Sequence, residues 1–156
     1  MQPEGMNLEG MRVFINTLNL SGEMISMSSR EAALLKRRAE AFLRNAQSLF
    51  ESGDYDLAMF SLEQHCQLLV KYYLFYLDGT YPRTHSLTQL LRELAKHNEG
   101  VSQLLHGESY LYVTKLEDAY VASRYIPREY DREEVGPTLR FVKEVFDPVV
   151  QQAGHA

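Results

Sequence analysis

The chain has 156 residues, a formal net charge of −5 and a single cysteine. This length predicts one domain, and one cysteine excludes an intrachain disulfide. The acidic balance argues against a broad nucleic-acid surface, which needs many basic side chains to neutralise phosphates. We expect no membrane span, because no apolar run approaches about 18 residues. Since the start lacks the basic region of a secretory signal, we expect a cytoplasmic protein.

The first 27 residues differ from the rest and predict a short irregular N-terminal extension. They contain Gly5, Gly10 and Gly22, and an apolar run over residues 11–18. Ser28 and Glu31 then have the spacing of a capping box. This spacing predicts that the first helix runs from about residue 29 to residue 51. We predict that one helical-bundle domain covers residues 28–152.

The second predicted helix, about residues 55–77, follows a turn at Ser52-Gly53-Asp54. Its second half, from Leu68 to Leu77, carries only one charge, at Lys71. A helix that is apolar nearly all round is buried on several sides. This pattern predicts either the central helix of a bundle or a subunit interface.

Three further helices are predicted in the second half of the chain. The third covers about residues 86–97 and the fourth about residues 101–122, with Gly107 as a possible interruption. The fifth begins near Pro137 and ends or kinks at Pro148. Five helices with short connections predict an all-α fold, an up-and-down antiparallel bundle.

Two residues of the second helix have a structural interpretation that we prefer to a chemical one. Cys66 is predicted to be a small buried hydrophobe. His65 is predicted to be hydrogen-bonded at a seam between helices, because no second histidine or cysteine lies four residues away to complete a metal pair. We expect no metal and no cofactor.

Arg92 and His97 are separated by five positions. Along a helix this separation turns the side chains about 140° apart. We therefore interpret them as two solvated residues near a helix end, and not as a catalytic pair.

A possible ligand site is predicted from two loops and one helix. Arg83 and His85 precede the third helix, and Arg124 and Tyr125 follow the fourth. If these helices pack antiparallel, the four residues share one end of the bundle and suit a phosphate and a stacked ring. Lys71 is a possible additional cation. The alternative is that these side chains only tie the loops to the bundle.

Three ordered stretches resemble the HEPN domain, the prokaryotic helical domain often encoded beside minimal nucleotidyltransferases. They are residues 53–58 with Phe60, Gln64 and Lys71, residues 81–87, and residues 116–125 with Pro127. Gln67 stands where the family pattern has glutamate, and Ile126 is inserted before Pro127. The Arg-x(4–6)-His motif of the ribonuclease branch is not found after Arg124, where that branch carries it.

The resemblance implies a helical bundle, a homodimer, and a role in nucleotide binding or partnership with a nucleotidyltransferase-type protein. Our main interpretation is a non-catalytic HEPN protein that binds a nucleotide or another phosphate-bearing ligand. One alternative is a metal-independent endoribonuclease of toxin–antitoxin type. Another is a structural dimerisation module.

Overall fold

The computed structural model describes the backbone of residues 21–124 and 128–154, and the side chains of residues 29–123 and 128–154. Every regular element in these ranges is helical, which confirms the predicted all-α class. Six α-helices are present there instead of the five predicted, together with a 3₁₀ helix and a π turn. They are α1 (Ser21–Glu51), α2 (Tyr55–Asp78), α3 (Leu87–Ala95), the 3₁₀ helix (Glu99–Leu105), α4 (Gly107–Arg124), α5 (Arg132–Phe141), the π turn (Val142–Phe146) and α6 (Asp147–Gly154).

Helix α1 begins earlier than the sequence indicated. It starts at Ser21, so Ser28 lies inside the helix and is not its N-cap. The prediction of irregular structure is therefore wrong for residues 21–27, where no proline interrupts the helix and good helix formers such as Glu23 and Met24 extend it. The rest of the predicted extension, residues 1–20, lies outside the described residues.

Helix α2 is the central element of the bundle. It contacts α1, α3, α4, α5 and α6, which confirms that it is buried on several sides. Small side chains of α1, Ala39 and Ala46, are buried against this core. Cys66 is fully buried in α2, as predicted.

The predicted fourth helix is divided at Gly107. This glycine has a φ of +61°, a conformation that side chains with a Cβ rarely adopt. The segment before it, Glu99–Leu105, is a 3₁₀ helix, and α4 runs from Gly107 to Arg124. No helix in the described ranges is long and apolar enough to cross a bilayer.

The last predicted helix begins at Arg132, before Pro137 and not at it. Asp131 is its N-cap, with a side chain that accepts a hydrogen bond from the Glu134 amide at 2.9 Å. Pro148 does not end the helix either. A wider π turn precedes it, over Val142–Phe146, where a regular α-helix would bring the proline ring against the carbonyl four residues earlier.

Candidate ligand-binding site

A buried polar network occupies the middle of α2, centred on Glu63. The Glu63 side chain is fully buried. Gln64 Nε2 donates to one of its carboxyl oxygens at 2.7 Å, and Gln67 Nε2 donates to the other at 2.6 Å. Burial raises the pKa of Glu63 to about 7, although these two hydrogen bonds and the charge of Lys71 oppose the rise. The carboxyl therefore holds a proton for part of the time near neutral pH.

Lys71 forms the outer end of this network. Its Nζ donates to Gln67 Oε1 at 2.9 Å and lies 5.5 Å from the centre of the Tyr81 ring. The side chain is half-buried. Burial lowers the pKa of Lys71, the charge of Glu63 opposes this, and the charge of Arg83 lowers it further. Lys71 thus lies in a place where a positive charge is poorly compensated.

His85 connects the network to α4. Its Nδ1 lies 3.4 Å from Gln67 Oε1. Its ring stacks on Tyr120, with ring centres 4.5 Å apart and planes inclined by 19°. Tyr120 lies one helical turn before Arg124, so the cluster includes the last turns of α4.

The start of α3 and the second half of α4 are also joined by Glu117. Its Oε1 accepts hydrogen bonds from the Thr88 amide at 2.8 Å and from the Ser86 and Thr88 hydroxyls at 3.1 Å each. These contacts place the start of α3 beside the end of α4, which is the arrangement required by the site predicted from the sequence.

The structure brings together three of the five predicted site residues. Lys71 and His85 share Gln67 as a partner, and Arg83 is close enough for its charge to affect the pKa of Lys71. The Arg124 backbone ends α4, but its side chain and all of Tyr125 lie outside the described residues.

Sequence reasoning did not identify Glu63, Gln67 and Tyr120 as members of this cluster. A signal for the first two was present, because Glu63, Gln67 and Lys71 follow one another at steps of four residues and lie on one helix face. No local pattern indicated that Tyr120 would stack on His85.

A family model for the HEPN domain matches residues 32–152. The chain belongs to the HEPN family. A comparison with curated proteins found no match. The HEPN match covers every described member of the cluster, from Glu63 to Tyr120.

The Arg92–His97 spacing resembles the ribonuclease motif of some HEPN proteins, and the structure shows what each residue contacts. His97 Nε2 lies 2.9 and 3.0 Å from the two carboxyl oxygens of Asp78. This contact ties the end of α3 to the end of α2, so His97 is paired and not merely solvated. Arg92 is exposed on α3.

Proposed function

We propose that this HEPN protein is a non-catalytic binder of a nucleotide or another phosphate-bearing ligand, and that it acts beside a nucleotidyltransferase-type protein. The proposed phosphate site consists of Lys71, Arg83 and His85, with Arg124 and Tyr125 as further members. One observation carries the proposal. Among the described residues, the half-buried Lys71 ammonium has no carboxylate within ion-pair distance.

The environment of Lys71 favours an anion. A charge that is partly removed from water is costly unless an opposite charge compensates it. The hydrogen-bond partner of Lys71 is the neutral Gln67, and the positive charge of Arg83 lowers the pKa of Lys71 further. The nearby Glu63 carboxyl is engaged by Gln64 and Gln67 and is protonated for part of the time near pH 7. A phosphate would supply the missing charge and several acceptor oxygens.

The alternatives are less well supported by this geometry. A ribonuclease of this type would need an arginine and a histidine that act together, whereas His97 pairs with Asp78 of α2 and no contact joins it to Arg92 among the described residues. In a purely structural cluster we expect a carboxylate in direct contact with Lys71, as Glu117 contacts the buried Thr88 and the half-buried Ser86 at the start of α3.

Calorimetry and thermal shift with tripolyphosphate and nucleoside triphosphates, each with and without Mg²⁺, test the proposal. At 100 times its dissociation constant, a ligand adds about 2.7 kcal/mol to the free energy of unfolding. Lys71→Met should weaken binding at least about tenfold, or about 1.4 kcal/mol. Lys143→Met, which removes an exposed charge on the π turn, is the matched control. Absence of binding to the wild type, or equal affinities of the two variants, would reject the site.

The partnership needs a separate test. The protein should co-purify with a nucleotidyltransferase encoded by a neighbouring gene when the two are co-expressed. A nucleotidyltransferase that elutes alone under these conditions would remove this part of the proposal and leave the ligand site unaffected.

A further inference from the structure

Gln67 links the buried Glu63 carboxyl to Lys71. Its side chain is only 3% exposed. Gln67 Nε2 donates to Glu63 Oε2 at 2.6 Å. Gln67 Oε1 accepts a hydrogen bond from Lys71 Nζ at 2.9 Å and lies 3.4 Å from His85 Nδ1. The two ends of one amide therefore serve different groups, because its nitrogen faces the acid and its oxygen faces the cation.

This orientation of the amide suits only the ionised form of Glu63. A carboxylate accepts hydrogen bonds and has none to donate, and here Gln64 and Gln67 each donate to one of its oxygens. A protonated carboxyl carries an O–H, and a buried donor without an acceptor is costly. Either amide provides an acceptor by turning end for end. Of the two amides, Gln67 is the one that also holds Lys71.

A turn of the Gln67 amide removes the acceptor of Lys71. An ammonium group only donates, so Lys71 Nζ cannot bond to the amide nitrogen that would then face it. Lys71 lies at the half-buried outer end of the network, and it then needs an acceptor from outside the protein. An anion supplies that acceptor, and its negative charge also disfavours the ionised form of Glu63. The hydrogen bonds and the charges thus act in the same direction.

We infer that the anion site takes up a proton from solvent together with its ligand, that Glu63 receives this proton, and that a turn of the Gln67 amide releases Lys71 to the anion. This inference rests on the proposed function and adds control of the same site by pH. Glu63 and Gln67 do not touch the ligand but position Lys71. With Glu63 ionised, Gln67 holds Lys71 away from the ligand; with Glu63 neutral, Lys71 is available.

Several titratable groups surround Glu63. They come from α2, the segment before α3, α4 and α6, and they are Cys66, Lys71, Arg83, His85, Glu117 and Asp147. The charge of Lys71 lowers the pKa of Glu63, and the charge of Glu117 raises it. Cys66 stays protonated, because burial raises the pKa of its thiol. None of the described buried residues of α1 and α5 carries a charge.

The affinity for an anion should fall as pH rises through the range in which Glu63 ionises. Burial raises the pKa of Glu63 to about 7, so about nine in ten molecules carry the proton at pH 6 and about one in ten at pH 8. The apparent affinity scales with the fraction of molecules in the competent form. Glu63→Gln places an amide N–H where the proton would be, and should therefore keep Lys71 available at both pH values.

Calorimetry with inorganic tripolyphosphate on the full chain tests this coupling at pH 6 and pH 8. At each pH the wild type is compared with Glu63→Gln, so the titration of the ligand itself cancels. The two proteins should agree within about twofold at pH 6, and Glu63→Gln should bind about tenfold more tightly at pH 8. The exposed Glu99→Gln is the matched control and should follow the wild type at both pH values.

The role of Gln67 has its own test. In a Gln67→Met protein, Glu63→Gln should change the affinity at pH 8 by less than about twofold, because the residue that joins Glu63 to Lys71 is gone. A full tenfold gain in a Gln67→Met protein that melts cooperatively would show that the charge of Glu63 acts directly, and would overturn the role of Gln67.

The turn of the amide can also be observed in the wild type without ligand. The nuclear Overhauser effect between the Gln67 Nε2 protons and the His85 ring should be stronger at pH 6 than at pH 8. In Glu63→Gln it should be strong at both pH values. Equal intensities in the wild type at the two pH values would overturn the turn of the amide.

The outcomes separate this inference from the proposed function. If tripolyphosphate binds and the ratio of the affinities of the wild type and Glu63→Gln is the same at pH 6 and pH 8, the coupling is rejected and the phosphate site stands. If neither protein binds tripolyphosphate at pH 6, the phosphate site is rejected and the inference fails with it.

Discussion

His65 and Asp147 form a buried pair that joins the centre of α2 to the start of α6. His65 Nε2 lies 2.8 and 3.0 Å from the two Asp147 oxygens, and Nδ1 lies 2.7 Å from the Ala39 carbonyl on α1. A carbonyl only accepts, so Nδ1 donates to it.

Breaking this pair should be costly, because it leaves one buried polar group unpaired. Asp147→Ala and His65→Ala should each lower the free energy of unfolding by about 3–5 kcal/mol, measured by urea denaturation. The double variant should lose less than the sum of the single variants, since the two residues interact directly.

An exposed pair on α3 and the turn after it provides the control. Lys96 Nζ lies 3.0 Å from Glu93 Oε1, with side chains 70% and 36% exposed. Removing that pair should change stability by less than about 1 kcal/mol. A comparably small effect of Asp147→Ala would show that the buried pair adds nothing to stability.

The sequence predicted the role of His65 in this pair but not its partner. The prediction that His65 is hydrogen-bonded at a helix seam is confirmed, because helix periodicity places it facing a neighbouring helix. Its partner Asp147 is 82 positions away, and no local spacing could identify it. Long-range partners depend on how the helices dock, which is decided by packing over the whole core.

Errors at the helix ends have local causes. Asp131 and Glu134 have the spacing of a helix start, and they lie before the Gly136-Pro137 pair that predicts a start near Pro137. Glutamate is a residue type that is seldom fully buried, yet Glu63 is fully buried here. Its burial follows from the central position of α2, because neighbouring helices cover most of the surface of that helix.

Two glycine-to-alanine substitutions should have opposite effects on stability. A Cβ at Gly154 would collide with the Tyr73 ring, because the end of α6 packs closely on α2. Gly154→Ala should therefore lower the free energy of unfolding by about 1–3 kcal/mol. A Cβ at Gly136 would lie 3.4 Å from Phe50, so Gly136→Ala in α5 should gain about 0.5–1 kcal/mol from helix propensity. Thermal denaturation of the two variants compares them directly, and equal stability of Gly154→Ala and the wild type would contradict the close packing.

Tyr76 identifies where a homodimer contact should lie. The apolar half of α2 is largely used inside the bundle, with Val70, Leu74 and Phe75 buried, but Tyr76 is 67% exposed. We expect a dimer by light scattering, and we expect Tyr76→Glu to give a monomer. Leu111→Glu on α4, a position that is also 67% exposed, is the control. A wild-type monomer at micromolar concentration would contradict the dimer. If Leu111→Glu dissociates the dimer and Tyr76→Glu does not, the subunit contact lies on α4 and not on α2.

The raised pKa of Glu63 predicts that its contribution to stability falls as pH rises. The folded protein keeps the Glu63 proton up to about pH 7, whereas the unfolded chain releases it near pH 4.5. Between these values the folded state binds more protons, so the free energy of unfolding decreases with pH. Above about pH 7 the total decrease in the free energy of unfolding due to Glu63 is about 3 kcal/mol.

Glu63→Gln should remove this part of the pH dependence. Urea denaturation of the wild type and the variant from pH 4 to pH 8 gives, for each protein, the slope of the free energy of unfolding against pH. The exposed Glu99→Gln should retain the slope of the wild type. A Glu63→Gln protein with an unchanged slope would show that Glu63 does not hold a proton in the folded state.

Arg92 and His97 should not support RNA cleavage, because Arg92 is exposed within α3 whereas His97 lies beyond the end of that helix and pairs with Asp78 of α2. The purified protein should leave single-stranded RNA and transfer RNA intact in the presence of EDTA, as judged by gel electrophoresis. His97→Ala should change stability by less than about 1 kcal/mol, since the His97 and Asp78 side chains are 31% and 42% exposed. If the wild type cleaves RNA and both Arg92→Ala and His97→Ala abolish cleavage while remaining folded, the two residues act as a catalytic pair. That result would favour the endoribonuclease alternative over a non-catalytic binder.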